Sequence, residues 1–172
     1  MGYAGGTTAD PTYDDIGDHT ETLQVDYDPE VISYGRLLDF FWESHDPSAV
    51  PWSRQYRAVI FTMDGEQEKL ALKSLRAREA SLGKKVSTAI EPLRTFHLAE
   101  GYHQKYYLRQ DPVIMADFLK AYPDLEGFVN SQAAAKTNGF LSGMGSGQDL
   151  ARILSGLGLS EESARRLSRR VR

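Results

Sequence analysis

Residues 2 to 21, GYAGGTTADPTYDDIGDHTE, run directly into residues 22 to 27, TLQVDY. The alternation in the second piece predicts a strand, and residues two apart on a strand share a face. Glu21 then points the same way as Leu23, Val25 and Tyr27, which puts a carboxyl group at the lip of an apolar face. Desolvation at such a lip disfavours the carboxylate and favours the acid form, the form that donates a proton near neutral pH. Read structurally, the same pattern is a solvated strand end. Gly2, Gly5 and Gly6 read as a flexible or positive-φ segment that is loosely held, and Asp10-Pro11 as a turn.

The rest of the chain alternates helix and strand signals. Asp28-Pro29 turns the chain and Ser33 is placed to cap a helix. Tyr34, Leu37, Leu38, Phe41, Trp42 and His45 then fall on one helical face. His45-Asp46-Pro47 closes that helix, and residues 48–54 form a loop. Arg57 to Thr62 is a β-branched and aromatic run that reads as a strand covered on both sides. A second helix spans about Gly65 to Leu82 before the stop Gly83-Lys84-Lys85. Val86, Thr88 and Ile90 give a strand ended by Pro92. Phe96, Ala99, His103 and Tyr106 repeat at helical spacing, which turns His103 inward.

This order predicts an α+β fold, a two-layer sandwich with helices on one face of a mixed sheet. Asp111-Pro112 reads as a boundary between a core of residues 1–112 and a helical extension of residues 113–172. The extension is expected to hold helices at 113–121, 124–136, 148–155 and 160–171, with the glycine-rich stretch 138–147 as a loop. That stretch lacks the Lys-Ser/Thr ending of a phosphate loop and follows no strand. In the last segment Ser160 caps, Glu161 and Glu162 occupy the first turn, and five arginines crowd the end, which complements the helix dipole.

Composition narrows the function classes. Lys plus Arg is 20 against Asp plus Glu 24, a formal net charge of -4, which argues against a nucleic-acid partner. No apolar run approaches the roughly 18 residues that span a bilayer, so no membrane partner is expected. There is no cysteine, hence no disulfide framework, thiolate metal site or thiol nucleophile among these residues. His19 reads as a turn residue and His45 as a packed or capping one. No spacing supports a metal site built from His19, Glu21, His45 and Asp46.

The stretches GYAGG, DPTYDD and HTE, followed by YDPEVISYGRLLDFFWESHDP, RQYRAVIF and AEGYHQKYY, resemble the methionine sulfoxide reductase A family across roughly residues 2 to 110. That resemblance implies a ferredoxin-like core and a peptide-methionine (S)-S-oxide reductase, an oxidoreductase of protein repair under oxidative stress. Reduction of a sulfoxide requires a soft nucleophile at sulfur, a proton donor at oxygen, which leaves as water, and an apolar slot for the S-methyl group. By resemblance Glu21 is the acid, and Tyr13 and Tyr56 are the hydroxyls that bond the oxygen. His103 matches a supporting histidine. Trp52 either lines the methyl slot or packs beneath its loop. No bound cofactor is implied. The reductant is an external thiol, thioredoxin or glutathione with glutaredoxin, and the expected setting is a cytoplasmic monomer, or a mitochondrial one if a targeting segment was lost.

The departures from the family are equally specific. The family's GCFWG segment, which carries its nucleophilic cysteine or selenocysteine, is absent, as are its resolving cysteines. The loop between His45-Asp46-Pro47 and Gln55-Tyr56 is short and offers no equivalent of the family's loop aspartate. These features fit the branch that uses one Cys or Sec and an external thiol, with the start of the chain assigned too late, so that the first strand and helix are missing. Such a chain is expected to be inactive by itself. The alternative is a Cys-free protein that binds oxidised methionine or a partner without turnover. Reading the encoding frame ahead of Met1 tests the first expectation: a Cys codon or an in-frame UGA within a GxFWG segment should appear there, and neither being present would contradict it.

Overall fold

The computed structural model describes residues 1–171. The chain divides into two compact units, Met1–Ala99 and Glu100–Arg172.

The first unit is α+β. Strand β1 (Gly2–Ala4) lies between β2 (Thr20–Thr22) and β5 (Phe96–Leu98), antiparallel to both, and β3 (Val59–Thr62) pairs in parallel with β4 (Ala89–Pro92). Both kinds of pairing expected of a mixed sheet are present, but in two separate ladders. Helix α1 (Tyr34–Glu43) begins at the Ser33 cap, which accepts from the Arg36 N–H. Helix α2 (Gly65–Leu82) is the crossover between the parallel strands. It is capped by Asp64 and stopped by Gly83 at φ 65°, a left-handed conformation that favours glycine. Leu38, Trp42, Ile60 and Ala71 form the core where α1, α2 and β3 meet. The Trp42 indole N–H donates to Ser74 Oγ at 3.0 Å, so even the polar atom of this buried ring is satisfied.

Three expectations change here. Gly2–Ala4 is not loosely held: it is the central strand, and Tyr3 and Ala4 are among the most buried residues of the chain. The strand expected over 22–27 ends at Thr22, because the β1–β2 ladder ends where Gly2 meets Thr22 and offers Leu23 no partner. Leu23 and Val25 are accordingly 68% and 53% exposed. Phe96 to Leu98 is a strand on the other side of β1 rather than the start of a helix. Side-chain spacing alone does not separate these states when the run is short and its partner is distant in sequence.

The second unit is helical: α3 (Tyr106–Arg109), α4 (Pro112–Ala121), α5 (Leu125–Asn130), α6 (Gln132–Leu141), α7 (Gly147–Ile153) and α8 (Glu161–Arg170). Its core includes Leu108, Ile114, Phe118, Phe128, Leu150 and Leu167. Ser131 ends α5 and caps α6, splitting the helix expected over 124–136. Helix α6 then continues through Asn138, Gly139 and Phe140, so only the second half of the glycine-rich stretch is loop.

Asp111, fully buried, caps α4 through the Ile114 N–H and receives Arg166 at 2.6 Å and Arg170 at 3.2 Å from α8. Burial works to raise this carboxyl, but the Arg166 hydrogen bond, the Ile114 N–H and the two guanidinium charges outweigh it and hold it below the usual aspartate range. A lowered folded-state value means that the stabilisation is complete above the unfolded value and is lost as pH falls through the folded one. Asp111→Ala removes a helix cap worth about 1 kcal/mol and charge-assisted bonds worth about 1.5–3 kcal/mol, offset in part because the half-exposed arginines regain water. Urea unfolding followed by circular dichroism at pH 7 should show a net loss of about 2–3 kcal/mol, shrinking as pH is lowered below about 4. An unchanged midpoint would show that the buried carboxylate does not hold α8 in place.

Candidate functional site

The site is assembled where the 3-10 turn Arg54–Tyr56 meets the β1–β2 hairpin. Thr20 Oγ1 on β2 donates to the Arg54 carbonyl at 3.0 Å. The Arg54 guanidinium donates to the carbonyls of Asp18 at 2.7 Å and Gly5 at 2.8 Å. Arg57, just after the turn, donates from Nε to Thr20 Oγ1 at 3.0 Å and forms a forked pair with Glu91 of β4, its Nη2 lying 2.7 Å from Oε2. The Arg57 hydrogen bonds hold the Glu91 carboxyl below the usual range against the opposing effect of burial. These bonds fix the turn beside the next residue of β2, Glu21.

The loop between β1 and β2 is held by two of its own side chains. The Asp18 carboxylate accepts from the backbone N–H groups of Thr7 at 2.7 Å and Thr8 at 3.0 Å, and from both threonine hydroxyls. Those two backbone N–H groups drive its carboxyl far below the usual range. His19, read from sequence as a turn residue, is 2% exposed and bridges the loop. The Gly6 N–H donates to Nδ1 at 3.3 Å, so the ring hydrogen sits on Nε2 and is donated to the Thr8 carbonyl, 2.8 Å away. Gly6 has to be glycine for this closeness, since a Cβ there would lie 2.6 Å from the His19 ring and from Asp18 Oδ1. The loop so braced carries Tyr13.

Tyr13, Glu21 and Tyr56 come together. Desolvation first, then the proximity of the Glu21 and Tyr13 charges and a side-chain hydrogen bond with Tyr13, raise the Tyr56 hydroxyl above its ordinary value. The Trp52 ring lies on the Tyr56 ring, centroids 4.8 Å apart at 37°. Tyr13 is 44% exposed, Tyr56 43% and Trp52 82%, so the group forms an open ledge rather than a closed cavity. Gln55, which nothing in the sequence singled out, donates from Nε2 to Glu21 Oε1 at 2.8 Å. The surroundings of Glu21 therefore differ from those expected: an amide and two phenols stand near it, while Leu23 and Val25 are exposed beyond the end of the strand. His103 belongs to the second unit, on the 3-10 turn Gly101–His103 beside Tyr102.

Two phenolic O–H groups and a carboxyl group are suited to one polar oxygen, the phenols as hydrogen-bond donors to it. The exposed indole supplies an apolar, polarisable surface next to them. Among the described residues, no group of three or more His, Cys, Asp or Glu side chains is placed to hold a metal ion.

Comparison with known proteins places the chain in one family. A family model described as peptide methionine sulfoxide reductase matches residues 1–137, past the last motif quoted from the sequence. A peptide methionine sulfoxide reductase of Drosophila melanogaster is 43% identical over 147 residues, covering 84% of this chain and 58% of that protein. The A5 enzyme of Arabidopsis thaliana is 41% identical over 145 residues, covering 81% and 56%. The chain thus spans little more than half the length of these relatives. Among solved structures, reduced Mxr1 of Saccharomyces cerevisiae aligns with a TM-score of 0.59 at 33% identity, over 64% of this chain and 69% of that one. The names support the reductase expectation. None supports the binding-only alternative or an inactive chain.

The bracing of the loop has a direct check. Asp18→Asn weakens the acceptor that holds Thr7 and Thr8, so their backbone amides should exchange with deuterium markedly faster at neutral pH, while those in the middle of α2 stay unchanged. Because this carboxyl is depressed in the folded state, wild-type protection should persist well below pH 4 and fade only in strong acid. Equal protection in variant and wild type would contradict the role given to Asp18.

Proposed function

The chain belongs to the peptide methionine sulfoxide reductase family, and from that premise we propose that it supplies the oxygen-handling side of a peptide-methionine (S)-S-oxide reductase. The observation that carries this reading is the convergence of Tyr13, Tyr56 and Glu21 beside the Trp52 ring.

Overall, one sulfoxide and two thiols give one sulfide, one disulfide and one water. Two electrons pass from the thiols to sulfur, and two protons end on the oxygen. In this reading the hydrogen bond between the Tyr13 and Tyr56 hydroxyls opens when the sulfoxide enters, and both then donate to its oxygen and stabilise the charge that builds there as the S–O bond weakens. Glu21 gives the oxygen one proton, the two thiols supply the second and restore the one on Glu21, and Trp52 packs against the S-methyl group. The chain contains no cysteine, so the attacking thiolate or selenolate is not among its own residues. Substrates are oxidised methionines in proteins or free methionine sulfoxide, and the reductant is a thiol of the thioredoxin or glutathione class, in a cytoplasmic setting.

Binding tests the reading without turnover. N-acetyl-methionine-(S)-sulfoxide methylamide should change the tryptophan fluorescence, with Trp52 as the exposed reporter. The sulfide, which lacks the oxygen, should bind about tenfold more weakly, since the site's polar groups would be left unpaired. Tyr56→Phe should weaken sulfoxide binding about fivefold, the loss of roughly one hydrogen bond. Equal binding of sulfoxide and sulfide would overturn the proposal.

A further inference from the structure

We infer that Gln55 is a positioning residue for the acid of this site: it fixes Oε1 of Glu21 as the accepting oxygen and leaves Oε2 to carry and deliver the proton. The inference rests on the function proposed above and adds a residue to it.

The geometry is specific. Gln55 Nε2 donates to Glu21 Oε1 at 2.8 Å across 34 positions of sequence, and both side chains are half-buried. The backbone on each side of this bond is tied by its neighbours. Arg54, the residue before Gln55, is tied through its carbonyl to Thr20, the residue before Glu21. Arg57 is tied through its side chain to the same threonine and to Glu91. Two adjacent pairs, Thr20 with Arg54 and Glu21 with Gln55, thus run side by side from strand to turn, and the next residue of the turn is Tyr56.

The chemistry follows from the donor inventory. With its NH2 turned toward Glu21, as it is here, the Gln55 amide donates and the oxygen it meets, Oε1, accepts. A carboxylic acid has one O–H, which is then left to Oε2. When the O–H bond at Oε2 breaks and the proton bonds the sulfoxide oxygen, the electron pair stays on the carboxylate and its charge spreads to Oε1. A hydrogen bond to an ionised acceptor is roughly twice as strong as one to a neutral acceptor. Gln55 therefore favours the state after proton transfer more than the state before it. Titratable groups near Glu21 include Tyr56, on the same turn as Gln55, whose hydroxyl interacts with both Glu21 and Tyr13.

Two substitutions separate positioning from mere packing. Gln55→Glu keeps size and shape but replaces the donor with a second carboxyl, whereas Gln55→Leu removes hydrogen bonding altogether. Affinity for N-acetyl-methionine-(S)-sulfoxide methylamide is measured by tryptophan fluorescence from pH 4.5 to 8. Relative to wild type at the same pH, Gln55→Glu should bind about tenfold more weakly at pH 8 and approach wild type as pH falls, because two facing carboxyls that share a proton restore a donor to the pair. Gln55→Leu should bind about fivefold more weakly, without that recovery. A loss in Gln55→Glu that does not vary with pH, or no loss in either variant, would overturn the inference while leaving the proposed function standing. A wild-type chain that binds sulfoxide and sulfide alike would remove both.

Discussion

The structure depends at one point on the bond between Thr20 and the Arg54 carbonyl, together with the guanidinium of Arg54 clasping two carbonyls of the hairpin. These contacts join a short turn to a short strand, elements that have little ordering power of their own. A 3-10 turn of three residues is marginal alone, and so is a three-residue strand. Fastened together, they place Glu21, Gln55 and Tyr56 within reach of one another, and the loop braced by Asp18 and His19 brings Tyr13 to the same ledge. The glycines at the start of the chain belong to this device. Gly5, at φ 78°, leaves its carbonyl for Arg54, and a Cβ there would meet the Phe61 ring at 2.5 Å.

Much of the site was legible in the sequence, and the reasons differ residue by residue. Tyr13, Glu21 and Tyr56 stand in short motifs kept in order, and the fold brings these three together. Gln55, the immediate neighbour of Tyr56, carries no signal of its own. Its role depends on a partner 34 positions away, and no periodicity within one element reports such a pair. His19 was read as a turn residue because it precedes a strand, yet it is a buried strut whose two ring nitrogens close the loop. Local patterns of polarity do not distinguish a solvated turn from a loop that satisfies its own polar groups.

The fold shows the same division. The amphipathic helix α1, the crossover helix α2 and their caps follow from period and capping residues, which act within a few positions. The short strands do not. Gly2–Ala4 becomes central only because Thr20–Thr22 and Phe96–Leu98 flank it, and the latter comes from the far end of the unit. In the helical unit the arginines of α8 suit the helix dipole, as expected, but two of them also reach the buried Asp111 of α4. That pairing turns an apparent surface feature into a tie between two helices.

The central claim is that one acid and two phenols are arranged to receive a single sulfoxide oxygen. A crystal structure of the chain soaked with dimethyl sulfoxide tests it most directly. The oxygen should lie within about 3 Å of the hydroxyls of Tyr13 and Tyr56 and of the Glu21 carboxyl, with a methyl group against the Trp52 ring. A ligand bound elsewhere, or these three side chains directed away from a common point, would contradict the account.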